Sequence, residues 1–148
     1  MEYHRQEAKH TCGPACMRMV LSALGIRKTE KILARILKTG KRYGTLNRNF
    51  PLAARKYNLK YRSCGLARIS DLRDIMKQNY IVIVCYFLEK EYHYAVVRKI
   101  TRSHIYLHDP LAGPDTKFPL NRFRKIWKSD PKVKEEDMWF FAVKKQLK

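Results

Sequence analysis

Residues 5–25 read RQEAKHTCGPACMRMVLSALG. A polar lead-in gives way at Cys12 to an apolar run with helical spacing. Cys12, Cys16, Met19, Val20, Ala23 and Leu24 fall on one face, and Arg18 and Ser22 face away. Pro14 suits a first helical turn, where its missing N–H costs nothing. Gly25 suits a C-terminal stop. Cys12 is therefore expected at the N-terminus of a buried helix. There the free N–H groups and the helix dipole favour the thiolate, so a lowered thiol pKa is expected. Gly13 is expected to let a substrate backbone come close. The Cys12 N–H and the side chain of Gln6 are candidate donors to an oxyanion. Taken alone, the stretch serves a buried structural cysteine equally well. A nucleophile needs a base, which must come from elsewhere in the chain.

The 148 residues suffice for one domain with a substantial core, expected to span 1–148. No apolar run is long enough for a membrane span, and the charged N-terminus MEYHRQEAKH has no signal core, so cytoplasmic residence is expected. The four cysteines, Cys12, Cys16, Cys64 and Cys85, sit in apolar stretches, which argues for reduced thiols. His4, His10, Cys12 and Cys16 match no common zinc spacing, so no metal and no cofactor is expected. The net charge is +19, and residues 27–62 hold twelve Lys or Arg against one acid. Such a surface attracts an acidic peptide or another polyanion. Nucleic acid stays open as a partner, although no binding motif accompanies the charge.

Further elements follow from periodicity and caps. KTEKILARILK reads as a helix capped by Thr29, with Ile32, Leu33, Ile36 and Leu37 buried. NFPLAARKYN reads as a short helix capped by Asn49. SDLRDIMKQN reads as another, capped by Ser70, with Leu72, Ile75 and Met76 inward. LKYRSC, YIVIVCYF, YHYAVVRKI, HIYLHDP and MWFFAV read as strands, and LNRFRKIWK as a late helix. Helices first and an antiparallel sheet second give an α+β class.

His93 opens one strand and Asp109 closes the next. A hairpin centred on Thr101 sets the two directly opposite, on one face. Asp109 would then fix the tautomer of His93, leaving the other ring nitrogen for Cys12. His104 and His108 fall on the opposite face, and His4 and His10 lie in the lead-in.

Four blocks now stand in order: QEAKHTCGPACMRMVLSALG, GTLNRNFPLAARKYNLKY, HYAVVRKITRSHIYLHDP and LNRFRKIWK. Together they resemble the papain-like cysteine peptidases that remove double-glycine leader peptides from bacteriocins, and their stand-alone relatives most closely. The resemblance spans nearly the whole chain. It implies a papain-like domain, its N-terminal helices packed on a C-terminal antiparallel sheet. It also implies Gln6 as the oxyanion-hole glutamine, Cys12 as nucleophile, His93 as general base and Asp109 as orienting residue.

The expected activity is hydrolysis of a peptide bond through a thioester, in a peptide or protein substrate. Small residues of Gly-Gly type are expected before the bond, in a groove shaped by Gly13, Tyr92 and Tyr94. The same Cys-His-Asp site would also serve an acyl or peptidyl transferase or an amidase. A non-catalytic basic module binding nucleic acid or another polyanion is the remaining alternative.

Overall fold

The computed structural model describes residues 1–147. Helix α1, Cys12–Ala23, begins at the expected cysteine and ends before Gly25, whose φ of +83° few side chains tolerate. It is not one-sided. Met17, Met19, Val20 and Leu21 all have no exposed surface, because α1 lies between the sheet and α2, Glu30–Ile36. Ala23, expected inward, is exposed where the helix runs out to the surface. Thr29 caps α2 as expected, its hydroxyl accepting from the Ile32 N–H at 3.2 Å. The apolar side of α2 is narrower than its sequence suggests: Leu33 and Leu37 are buried, and Ile32 is 42% exposed.

Helix α3, Phe50–Lys56, is entered through a 3-10 turn at Asn47–Asn49, so Asn49 makes no side-chain cap. Strand β1, Leu59–Cys64, leads to α4, Ile69–Lys77. Ser70 is not the α4 cap. Arg68 takes that place, and its N–H donates to the Asp71 carboxylate at 2.8 Å.

The sheet continues with β2 (Ile81–Leu88), β3 (Glu91–Ile100), β4 (His104–Asp109) and β5 (Gly113–Pro119). Helix α5, Leu120–Ile126, precedes the last strand, β6, Phe140–Lys145. Strand β5 escapes the sequence reading because GPDTKFP carries two prolines and no apolar alternation; it is an edge strand, where proline is tolerated. The order is β1-β6-β2-β3-β4-β5, antiparallel throughout. First and last strands therefore pair with each other, and the sheet is the α+β sheet expected.

Period-two alternation sends the strand residues to two cores. Ile83, Cys85, Tyr94, Val96 and Phe141 pack with α1, α2 and α3 on one face. Val82, Val84, Tyr86, Ala95, Val97 and Leu107 pack with α4 and α5 on the other. All four cysteines are free; Cys12, Cys16 and Cys85 are buried, whereas Cys64 is exposed at the end of β1. No helix among the described residues is long and apolar enough to cross a membrane.

Candidate active site

The β2–β3 hairpin turns through Glu89 and Lys90, both at positive φ, the backbone that a tight two-residue hairpin needs. This turn sets Tyr86 directly opposite His93, and the two rings stack with centroids 4.8 Å apart and planes 6° apart. The β3–β4 turn is centred between Arg102 and Ser103, one and a half residues later than expected, closed by Thr101 N–H to the His104 carbonyl at 2.9 Å. A bulge near Arg98 then shifts the register, so Val96 opposes His108. Asp109 therefore lies diagonal to His93 rather than directly across from it. The shift is even, so both side chains keep one face, and His93 Nδ1 meets Asp109 Oδ2 at 3.2 Å.

The Asp109 carboxylate is 1% exposed and fully engaged. Oδ2 also accepts from the Tyr86 hydroxyl. Oδ1 accepts from the N–H groups of Leu111 and Ala112, at 2.8 and 2.9 Å. Burial alone would raise this carboxyl's pKa, but the bonds from His93, Tyr86 and Ala112 outweigh it and hold the pKa below the usual 3.8. An ionised Asp109 can fix a His93 tautomer with Nδ1–H inward and Nε2 free to take a proton.

The lead-in clamps the same turn. Tyr3 donates from its hydroxyl to the Asp109 carbonyl, Gln6 N–H to the Pro110 carbonyl at 3.1 Å, and Arg5 to the Leu111 carbonyl at 2.8 Å. Strand β4 pairs with β3 only from Val96 onward, which leaves the start of β3 unpaired on that side. The N-terminus of α1 comes against β3 there. The backbone N–H groups of Tyr94, the residue after His93, of Gly13 and of Cys12 itself lie close enough to the thiol to favour its thiolate.

Those donors do not lower the thiol pKa as expected. Cys12 is 8% exposed, and burial pushes its pKa up to about 12 against the opposing hydrogen bonds. Desolvation of the thiolate outweighs the helix start. At neutral pH Cys12 is a thiol that must lose its proton to act.

Gln6 is half-buried, and its amide nitrogen donates to the carbonyls of Ala8 and Lys9 at 2.9 and 3.2 Å. Its Oε1 is buried without a partner among the described residues. Gly13 is needed by the chain itself: a Cβ there would lie 2.4 Å from the Thr45 hydroxyl. The space expected for substrate at this point is filled by Thr45. Tyr94 is 1% exposed, with its hydroxyl bonded to the Thr45 carbonyl and to Asn47, so it supports the site from beneath rather than lining a groove. Tyr92 is half-buried, and its hydroxyl donates to the Tyr43 carbonyl at 2.9 Å. Tyr43, Thr45, Cys85, Tyr92 and Tyr94 border a hollow of about 10 Å³, room for about one water.

Three contributors went unread in the sequence. Tyr86 could have been found from the two-residue turn at Glu89-Lys90, which makes it the cross-strand partner of His93. Thr45 and Glu30 had no such signal. Glu30 is 2% exposed, and its carboxylate accepts from the Glu7 N–H at 2.8 Å, holding the segment between Gln6 and Cys12. Among the described residues, no three His, Cys, Asp or Glu side chains gather as a metal site.

Residues 1–130 match the Peptidase C39 family. An uncharacterised protein of Methanothermobacter marburgensis is 35% identical over 109 residues, which cover 74% of this chain and 71% of that protein. The structure is similar to the peptidase domain of Streptococcus ComA, a bi-functional ABC transporter involved in a quorum sensing pathway. The TM-score is 0.77 at 21% identity, covering 98% of each chain. It is also similar to a double glycine motif protease from an AMS/PCAT transporter, solved in complex with the leader peptide. There the TM-score is 0.73 at 19% identity, over 98% of this chain and 91% of that one.

Proposed function

The chain belongs to the peptidase C39 family of cysteine peptidases, and we propose that it cleaves a peptide bond through a thioester on Cys12, with His93 and Asp109 as base and orienter. The observation that carries the reading is the His93–Asp109 pair at 3.2 Å, with His93 on the strand against which α1, opened by Cys12, packs.

In this reading the Cys12 thiol gives its proton to His93 Nε2 as its sulfur attacks the carbonyl carbon. Charge builds on the carbonyl oxygen, where the Cys12 N–H is a ready donor. Gln6 supplies the second donor by turning its amide off Ala8 and Lys9. The imidazolium protonates the leaving amine, and the C–N bond breaks to leave the thioester. His93 then takes a proton from water, which attacks the thioester; the C–S bond breaks, the acid leaves, and the imidazolium returns the proton to the Cys12 sulfur. Asp109 stays ionised throughout and stabilises the imidazolium.

The substrate we propose is a leader-type peptide with glycine before the cleaved bond. The hollow beside Tyr92 is bordered by Ser129, Asp130, Val133 and Glu135 rather than by Cys12 or His93, and only a small residue would fit where the peptide runs past it; one structural neighbour is a double glycine motif protease.

The test is labelling and turnover with a thiol-directed peptide electrophile and the matching peptide. In a Cys64→Ser background, which removes the exposed thiol, the protein should be labelled once, at Cys12, and adding Cys12→Ala should leave it unlabelled and inactive while still folded. Gln6→Ala should bind the peptide but turn over about 10²–10³-fold more slowly, the usual cost of one oxyanion donor. Turnover retained in Cys12→Ala would overturn the reading.

A further inference from the structure

The lead-in has two sides. Tyr3, Arg5 and Gln6 hold the Asp109–Leu111 turn. His4, between them, lines a separate cavity of about 210 Å³ together with Arg18, Ser22, Arg27, Lys28 and Thr29. Arg18, Arg27, Lys28, one imidazole and two hydroxyls border it, and among the described residues no carboxylate does; the Lys28 ammonium lies over the Tyr57 ring, 5.6 Å from its centroid. Glu7 lies 3.2 Å from Arg18 and Glu2 lies 3.8 Å from Arg27. Both acids are more than half exposed, at 62% and 60%, and such pairs are weak, so the cations remain available to a ligand.

We propose that this cavity binds a phosphate-type oxyanion, either inorganic phosphate or the phosphate group of a small molecule. Two guanidinium forks match a dianion with several acceptor oxygens, and Lys28 adds its charge at the rim. The Thr29 oxygen accepts from the Ile32 N–H, which leaves its hydroxyl proton for a ligand. A tetrahedral anion can take donors from several directions at once, as this lining offers; a carboxylate is planar and takes fewer.

His4 gives the site a proton linkage. The charged groups around it are Arg18 on α1, Arg27 and Lys28 on the connection to α2, and Glu2 in its own segment. Burial first and Arg18 next hold the His4 pKa below 6.5, so the ring is neutral in the empty cavity at neutral pH. A bound dianion reverses that balance and favours the imidazolium, so anion and proton bind together and affinity rises as pH falls. Occupancy ties the lead-in to α1 on one side, as the Asp109 turn ties it on the other.

The test follows the His4 ring signals by NMR in the full chain, at constant ionic strength, while inorganic phosphate is added. A saturable shift and an upward move of the His4 pKa are expected, with sulfate competing and acetate far weaker. Arg27→Gln combined with Lys28→Gln should weaken binding by about tenfold or more, because charge-assisted bonds are lost. Thermal stabilisation by phosphate should shrink in the same variant, which separates site binding from the general effect of an excluded salt. A nucleoside monophosphate that binds more tightly than phosphate assigns the ligand to a small molecule; equal binding assigns free phosphate. A shift that never saturates, one unchanged in the double variant, or acetate equal to phosphate would overturn the proposal. No readout uses turnover, so the result is independent of the peptidase reading.

Discussion

Tyr86 donates its hydroxyl to the same Asp109 oxygen that meets His93 Nδ1, while its ring lies flat against the His93 ring. One side chain thus fixes both members of the pair. Tyr86→Phe keeps the stacking and removes only the bond. A buried bond to a charged acceptor contributes about 1.5–3 kcal/mol, so a stability loss of that order is expected. The Asp109 pKa should rise, since one of the donors that lowers it is gone. Asp109 has a depressed folded-state pKa, so its contribution is fully present above 3.8 and is lost as pH falls through the folded value. In Tyr86→Phe that acid loss should begin at higher pH. Paired acid-unfolding curves measure it; superimposed curves would remove Tyr86 from this role.

The raised Cys12 pKa makes a kinetic prediction. With a pKa of about 12, the thiolate fraction at neutral pH is minute and grows tenfold per pH unit. Iodoacetamide alkylation of Cys12 should therefore climb steadily from about pH 7 to 9. A plateau across that range would mean a preformed thiolate–imidazolium pair. Stability moves the opposite way. The buried thiols Cys12, Cys16 and Cys85 all have folded-state values raised above 9.0. The stability they contribute is fully present below 9.0 and declines as pH rises above it, because the unfolded chain ionises first.

How much was legible beforehand follows the range of the interaction. The α1 boundaries, the Thr29 cap and the pairing of His93 with Asp109 rest on local periodicity and turn chemistry, and all are in the structure. The register slipped because the turn falls at Arg102-Ser103, a shift of three in the pairing, and the bulge near Arg98 takes back one, so the net shift of two preserved the face. Strand β5 was hidden by its prolines. Thr45 against Gly13, and Glu30 beneath Glu7, join segments more than twenty residues apart. No spacing rule within one element reports such contacts. The thiol pKa was misread for the same reason: burial of Cys12 is set by β3 and the lead-in, not by its own helix.

Gly44 carries a packing prediction that can be isolated by rescue. Its φ is +63°, and a Cβ there would overlap the Tyr92 hydroxyl, whose Cζ would lie 3.0 Å away. Gly44→Ala should destabilise by about 1–3 kcal/mol through overpacking, with left-handed strain adding about 1–2. Tyr92→Phe removes the clashing oxygen and its bond to the Tyr43 carbonyl. The double variant should recover part of the loss but not the strain. A thermal or denaturant cycle measures the coupling, and strict additivity would mean that the loop, rather than Tyr92, gives way.

Substrate choice tests the small hollow and the charge together. Tyr92 leans on the loop through the Tyr43 carbonyl, and the hollow beside it has room for about one water. A glycine adds nothing there, alanine adds a methyl group, and leucine adds four carbons. In an acidic peptide whose two residues before the cleaved bond run Gly-Gly, Ala-Ala and Leu-Leu, turnover should fall at each step. The alanine loss should be modest, on the order of 10–200-fold for about one carbon in a tight pocket, and leucine should be cleaved poorly or not at all. Residues 27–62 carry a net excess of eleven positive charges. That field should speed encounter with the acidic peptide, so kcat/KM should drop as salt rises while kcat changes little. Leu-Leu peptides cleaved as fast as Gly-Gly would remove the hollow from specificity. A salt-independent kcat/KM would remove the basic region from substrate capture and leave the rest of the reading intact.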